Sequence, residues 1–179
     1  MKHGDTMKIQ FNWMFIGWLI AAMVTACGYH FAGGGKFPAG VTRIFIPMME
    51  NRTTETGAER VFTNDLIYEF TRSRKEGLAK DRSAADGILL GTIVSFSVEN
   101  ISRSSVSTAI ERRGTGTLSL RLESPDGRVL WRSANIVEHE AFNVVAENKT
   151  KTDQYKSDAI AEISKKIAES AFTQLTDDF

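Results

Sequence analysis

The sequence predicts an α+β fold: a four-stranded, mostly antiparallel sheet with two helices packed on one face, in the order β-α-β-β-β-α. Three observations carry that prediction. Residues 88–99 alternate strictly, with Ile88, Leu90, Thr92, Val94, Phe96 and Val98 set against Leu89, Gly91, Ile93, Ser95, Ser97 and Glu99, which is the period of a strand. Two other segments repeat apolar residues at helical spacing: Ala58, Val61, Phe62, Leu66, Ile67 and Phe70 in one, and Tyr155, Ala159, Ile160, Ile163, Ile167, Ala171, Phe172 and Leu175 in the other. Between two apolar runs stands Ser124-Pro125-Asp126-Gly127, where proline presets one dihedral and glycine accepts positive φ, as a tight turn requires.

The chain opens with Lys2 and Lys8 as its first cations and runs apolar over 11–23, interrupted early by Asn12. A bilayer core demands about 20 predominantly apolar residues, so this is the layout of an export signal rather than of a spanning helix. Met1 and Met7 both serve as possible starts. Val24-Thr25-Ala26-Cys27 ends the run and looks like a bacterial lipobox: an aliphatic residue, two small ones, then the thiol whose thiolate takes up a diacylglyceryl group. An ordinary secretory signal ending at Ala26 is the competing reading. Cys27 is the sole cysteine, so no disulfide forms within the chain and the thiol is free for lipid. Diacylglycerol plus an N-acyl chain such as palmitate would anchor stably, at roughly 0.8 kcal/mol per buried methylene. The expected division is therefore a signal over 1–26, a lipidated tether over 27–40 and one domain over 41–179. Gly33-Gly34-Gly35 supplies the slack of the tether.

Within the domain, Val-Thr-Arg-Ile-Phe-Ile at 41–46, stopped by Pro47, predicts the first strand. The polar run 51–56 precedes the first helix as a cap. After the charged interval 73–86 comes the long alternating strand. The next strand places Leu118, Leu120 and Leu122 on one face and Ser119, Arg121 and Glu123 on the other. The last strand runs from Val129-Leu130-Trp131 to about Phe142, a polar loop follows over 144–152, and the final helix begins near Asp153.

Composition narrows the chemistry. The chain carries 22 basic and 22 acidic residues, and this neutrality argues against a nucleic-acid partner. Glu138-His139-Glu140 is the most tempting ligand cluster, but on a strand its histidine faces away from both glutamates. Neither G-x-S-x-G nor H-E-x-x-H occurs. The reading is a non-enzyme without cofactor beyond the lipid on Cys27; the rival is a periplasmic enzyme using Glu138, His139 or Asp153, or a small-ligand carrier. Arg103, Arg112 and Arg113 flank a serine-rich interval, and Lys149 and Lys151 precede the last helix. These five are candidates to hold phosphate through charge-assisted hydrogen bonds.

Four segments carry a family resemblance: Cys27-Gly28-Tyr29-His30-Phe31, Ile44-Phe45-Ile46-Pro47 with Asn51 behind it, Leu66-Ile67-Tyr68-Glu69-Phe70, and Ala85-Asp86-Gly87-Ile88-Leu89. In that order they resemble the LptE family of lipopolysaccharide-assembly lipoproteins. The resemblance implies a lipid-anchored protein on the periplasmic face of the outer membrane. It implies a partner, an LptD-like outer-membrane β-barrel that the lipoprotein plugs, and lipopolysaccharide as the cargo delivered. Gly28 after the cysteine, rather than aspartate, is compatible with sorting to the outer membrane.

Overall fold

The computed structural model describes residues 37–103 and 109–177. The predicted signal, Cys27 and the tether before Phe37 lie outside the described residues, as does the side chain of Arg103. The element order is β1 (Ile44–Phe45), β2 (Glu50–Asn51), α1 (Ala58–Ser73), β3 (Gly87–Arg103), β4 (Ala109–Glu123), β5 (Val129–Arg132), β6 (Ile136–Val145) and α2 (Lys149–Asp177).

The fold class is α+β with two helices, as expected, but the sheet has six strands rather than four and is mixed rather than mostly antiparallel. Both differences have local causes. The first strand is split: β1 and β2 are two residues each, both parallel to β3, and Pro47 between them has no N–H to offer a ladder. The last strand is also split. β5 and β6 both pair antiparallel with β4, one near each end, and the gap is filled at Ser133, whose hydroxyl accepts the Leu120 N–H at 2.9 Å. Six strands thus occupy four lanes.

β4 begins at Ala109, well before the leucine-rich stretch. Its face toward the helices is Gly114, Gly116, Leu118, Leu120 and Leu122, and the leucines are buried. The glycines serve close approach: a Cβ on Gly116 would lie 2.8 Å from Ile163 Cγ2 of α2, a distance real side chains do not tolerate. β3 answers with a bulge. Ile93 pairs with Leu118 and Ser95 with Thr117, so Val94 is an extra residue. The helix-side set therefore passes from Leu89, Gly91 and Ile93 to Phe96 and Val98. A bulge of this kind shifts the alternation by one.

α1 sets Phe62, Leu66 and Phe70 into the core, and α2 adds Ile163, Ile167, Ala171 and Leu175. α2 starts at Lys149, earlier than Asp153, because Asn148 caps it: its side chain accepts the Lys151 N–H at 2.9 Å. Packing also begins before Val41. Phe37 is 2% exposed and stacks on Phe70 at 6.1 Å, Phe172 meets the Phe70 ring edge at 5.0 Å, and Arg74 lies 4.6 Å over Phe37. The last residues of the expected tether are part of the domain.

The loop between β2 and α1 is organised by Asn51. Its amide donates to Glu55 O and Glu59 Oε2, while its oxygen accepts from the Thr53 N–H and hydroxyl. At the same end as Phe37, Asp86 accepts from the Thr42 hydroxyl and the Thr42 and Arg43 N–H groups.

Candidate functional site

The five predicted basic residues fall at one end of the molecule, which we call the tip: the ends of β3 and β6 and the starts of β4 and α2. Arg103 ends β3, and its backbone stands opposite Ile110. Arg112 and Arg113 lie on β4, a few residues in from its start at Ala109. Neighbours on a strand point to opposite faces, so the two arginines do not share one anion. Arg112 Nε donates to Asn100 Oδ1 across the ladder at 2.9 Å. Arg113, on the other face, reaches Glu99 Oε1 at 3.5 Å. Such exposed pairs hold weakly, at about 0–1 kcal/mol, and both arginines can exchange their partner for a stronger anion.

Lys149 and Lys151 occupy the first turn of α2, not a loop. Cations there oppose the helix dipole by about 0.3–1 kcal/mol, and the first turn has no acidic residue. Lys149 Nζ instead reaches Asp153 at 2.6 Å, one turn along, and Lys151 sits 5.7 Å over the Tyr155 ring. Positive side chains beside free helix N–H groups form an electropositive corner.

Glu138 and Glu140 both turn toward α2, where Glu138 accepts from the Ser170 hydroxyl at 3.1 Å and Glu140 pairs with Lys166 at 2.5 Å. The hydrogen bond to Glu140 raises the Lys166 pKa, so Lys166 stays charged near neutrality. These glutamates are tied into the sheet-to-helix contact, and His139 does not join them.

A second charged region lies apart from the residues that the sequence singles out. On the sheet face away from the helices, a depression of about 550 Å³ includes Arg52, Thr92, Ser119, Arg121, Arg132 and Asn135 in its lining. Arg52 Nε pairs with Glu50 at 2.9 Å, and Arg121 Nε with Glu123 at 2.7 Å. The Glu50 carboxyl is held below the usual range chiefly by the Arg52 hydrogen bond, with Thr92 and the Arg121 charge adding to it. The signal that would have found the region is the turn at 124–127: folding the chain there brings Arg121 and Arg132, each next to a core residue, into register on the outer face.

Solved structures match the chain at low identity. A Xanthomonas campestris protein matches at 11% identity, covering 76% of this chain and 85% of that one, with a TM-score of 0.50, which shows a common fold. A minor lipoprotein from Acinetobacter baumannii matches at 11% identity over 76% of this chain and 92% of that chain, with a TM-score of 0.49. Lipoprotein B from Nitrosomonas europaea matches at 14% identity over 82% of this chain and 91% of that chain, with a TM-score of 0.46. No curated protein matches the sequence. The model of the LptE lipopolysaccharide-assembly family matches residues 41–175, spanning both helices and every strand of the sheet, and the chain belongs to that family.

Proposed function

We propose that this protein is a lipoprotein, anchored through diacylglycerol and an N-acyl chain on Cys27 to the periplasmic face of the outer membrane. There it plugs an LptD-like β-barrel and assists delivery of lipopolysaccharide to the outer leaflet. The family match over residues 41–175 carries this reading. Arg112, Arg113, Lys149 and Lys151, with Arg103 at the strand end, act as exchangeable phosphate contacts at the tip. A plug has no reaction to catalyse; it needs a stable body and a charged end whose weak local pairs give way to a ligand.

The carrier reading needs a cavity between helices and sheet. That space holds Phe62, Ile163 and Ile167 packed onto Gly116, which counts against it. The test of the plug is co-purification: the tagged, lipidated chain extracted in mild detergent should bring down a large outer-membrane β-barrel in stoichiometric amount. Recovery of the lipoprotein alone, with intact lipid on Cys27, would refute the role.

A further inference from the structure

An open sheet has two edges, and this one treats them differently. The β1 edge is covered by the chain itself: Leu78 bridges Ile44, and the Ala79 N–H donates to the Ile44 carbonyl at 2.8 Å. β6 forms much of the opposite edge, paired on one side with β4. Which of its backbone groups face outward follows from β4. Leu120 turns its N–H and C=O toward Ser133, in the lane of β5 and β6, at 2.9 and 3.0 Å. The even residues of β4, and the even residues of β6 opposite them, therefore bond within that pair. The odd residues of β6 direct N–H and C=O away from the sheet. At the end of the strand the Val145 N–H accordingly meets Thr152 Oγ1, and its C=O meets the Asn148 N–H, both at 3.0 Å. At His139 the C=O accepts from Lys166 Nζ at 3.3 Å. Among the described residues nothing meets the His139 N–H or the outward groups of Ala141 and Asn143, all of them exposed residues. A row of unpaired backbone groups is a template for one more strand.

Beside this stretch lies a depression of about 210 Å³, lined by Phe142 and Asn143 of β6 and by Tyr155, Asp158 and Glu162 of α2, among others. It falls below the roughly 300 Å³ at which small-molecule sites begin, a size suited to single side chains. Three of its lining residues are carboxylates and none is a cation. Glu140 is met by Lys166 at 2.5 Å and Glu162 by Lys165 at 2.6 Å, whereas Asp158 accepts only from the Gln154 amide at 2.8 Å. The groove thus sets a negative charge with no ion-pair partner beside free backbone. On the outer face of the same edge stand Val137, 52% exposed, and Ala141.

Charge selects the occupant. Two copies joined through β6 would bring their acidic grooves together, while a strand with basic side chains on its helix-side face complements them. We propose that β6 accepts a further antiparallel strand along residues 137–143 from an extended segment of another protein. Its side chains alternate between basic residues set against Asp158 and Glu162 and β-branched ones packed on Val137 and Ala141. The docking rests neither on the proposed barrel partner nor on lipopolysaccharide.

The probe is the fluorescein-labelled peptide Thr-Lys-Val-Lys-Val-Lys-Thr, titrated by anisotropy against the full lipidated chain in detergent. It should bind about tenfold or more tightly than the same peptide with glutamate for lysine. In an antiparallel addition the outer-face residues of the peptide turn their N–H groups to β6. N-methylation of both valines should therefore abolish binding, and N-methylation of the lysines should leave it. Ala141→Pro removes one outward donor without touching the β4 ladder, as an edge strand tolerates. It should weaken the lysine peptide about tenfold or more, from lost hydrogen bonds, and keep the urea midpoint of the parent. Should this variant unfold, the methylated peptides read the same bonds on the parent protein. Asp158→Lys should weaken the lysine peptide and strengthen the glutamate one. No binding, equal affinity for the two peptides, or binding that survives methylation of the valines would each overturn the docking. A peptide-free chain that sediments as a dimer, and as a monomer after Ala141→Pro, would overturn the choice of occupant. Co-purification with a barrel is read independently, so the loss of one conclusion does not carry the other with it.

Discussion

The two ends of the β3–β4 hairpin are built from the same pair of strands and differ in nearly everything else. Near β1, Leu89, Ile93, Leu118, Leu120 and Leu122 are at most 2% exposed under the helices. Toward the tip, Val98 and Ile101 are 39% and 37% exposed, and the cross-strand contacts become Arg112–Asn100 and Arg113–Glu99. Stability therefore resides at the base, where apolar area leaves water. The tip is free to spend its side chains on a partner, since substitutions outside the core move stability little.

That contrast can be broken at the base first. Phe70, 1% exposed between Phe37 and Phe172, should cost about 3–5 kcal/mol when changed to alanine. Urea unfolding at constant m-value reads the loss; a shift near zero would move the seat of stability elsewhere. Gly116→Val comes next, at about 1–3 kcal/mol, because its Cβ would meet Ile163 Cγ2 at 2.8 Å. Pairing it with Ile163→Ala should recover part of that loss in the same assay, whereas simple additivity would separate the two sites.

Asp86 gives a smaller effect that depends on pH. Its carboxyl is held below the usual range chiefly by the Thr42 hydroxyl, with the Arg43 and Thr42 N–H groups adding to it. A depressed folded pKa means stability fully present above the unfolded value, about 3.9, and lost as pH falls through the folded one. Asp86→Asn should therefore unfold earlier than the parent at pH 7, and the two urea midpoints should converge as the pH falls through the folded value. Parallel curves across that range would remove Asp86 from the acid response. Smallest of all, Arg112→Gln and Arg113→Gln should each leave stability within about 0.5 kcal/mol. Each should still weaken retention of the chain on immobilised lipopolysaccharide. Because they face opposite ways, the double variant should lose the sum of the two single effects, and a double variant no worse than either single one would place them on one phosphate after all.

Much of this was legible where periodicity is strong. Both helices and the β3, β4 and last-strand lanes follow from alternation and helical spacing. What escaped was written in residues whose role depends on a neighbour. Gly114-Thr115-Gly116-Thr117 has no apolar face and does not read as a strand, yet its glycines are the face that receives Ile163. Lys149 and Lys151 read as loop because cations are poor helix starters, and the cap that starts the helix is Asn148. The parallel pairing of β1 and β2 with β3 is a choice between lanes that no local pattern encodes. The basic candidates are legible as charges in the sequence, but which of them share a face depends on the register. Arg112 and Arg113, adjacent in sequence, are apart in space, while Arg121 and Arg132 are brought together.

The extra residue at Val94 limits how this hairpin can change length. Phe96 and Val98 point inward because Val94 is bulged out of the ladder. Drawing Val94 into a regular ladder would turn both outward and bring Ser95 and Ser97 against the helices, whereas deleting it would leave Ile93, Ser95 and Phe96 opposite Leu118, Thr117 and Gly116 with the inward set unchanged. Insertions and deletions between the bulge and the tip are therefore tolerable in paired steps of two per strand, and relatives with a longer or shorter tip should differ by even numbers on each side or carry a compensating bulge of their own.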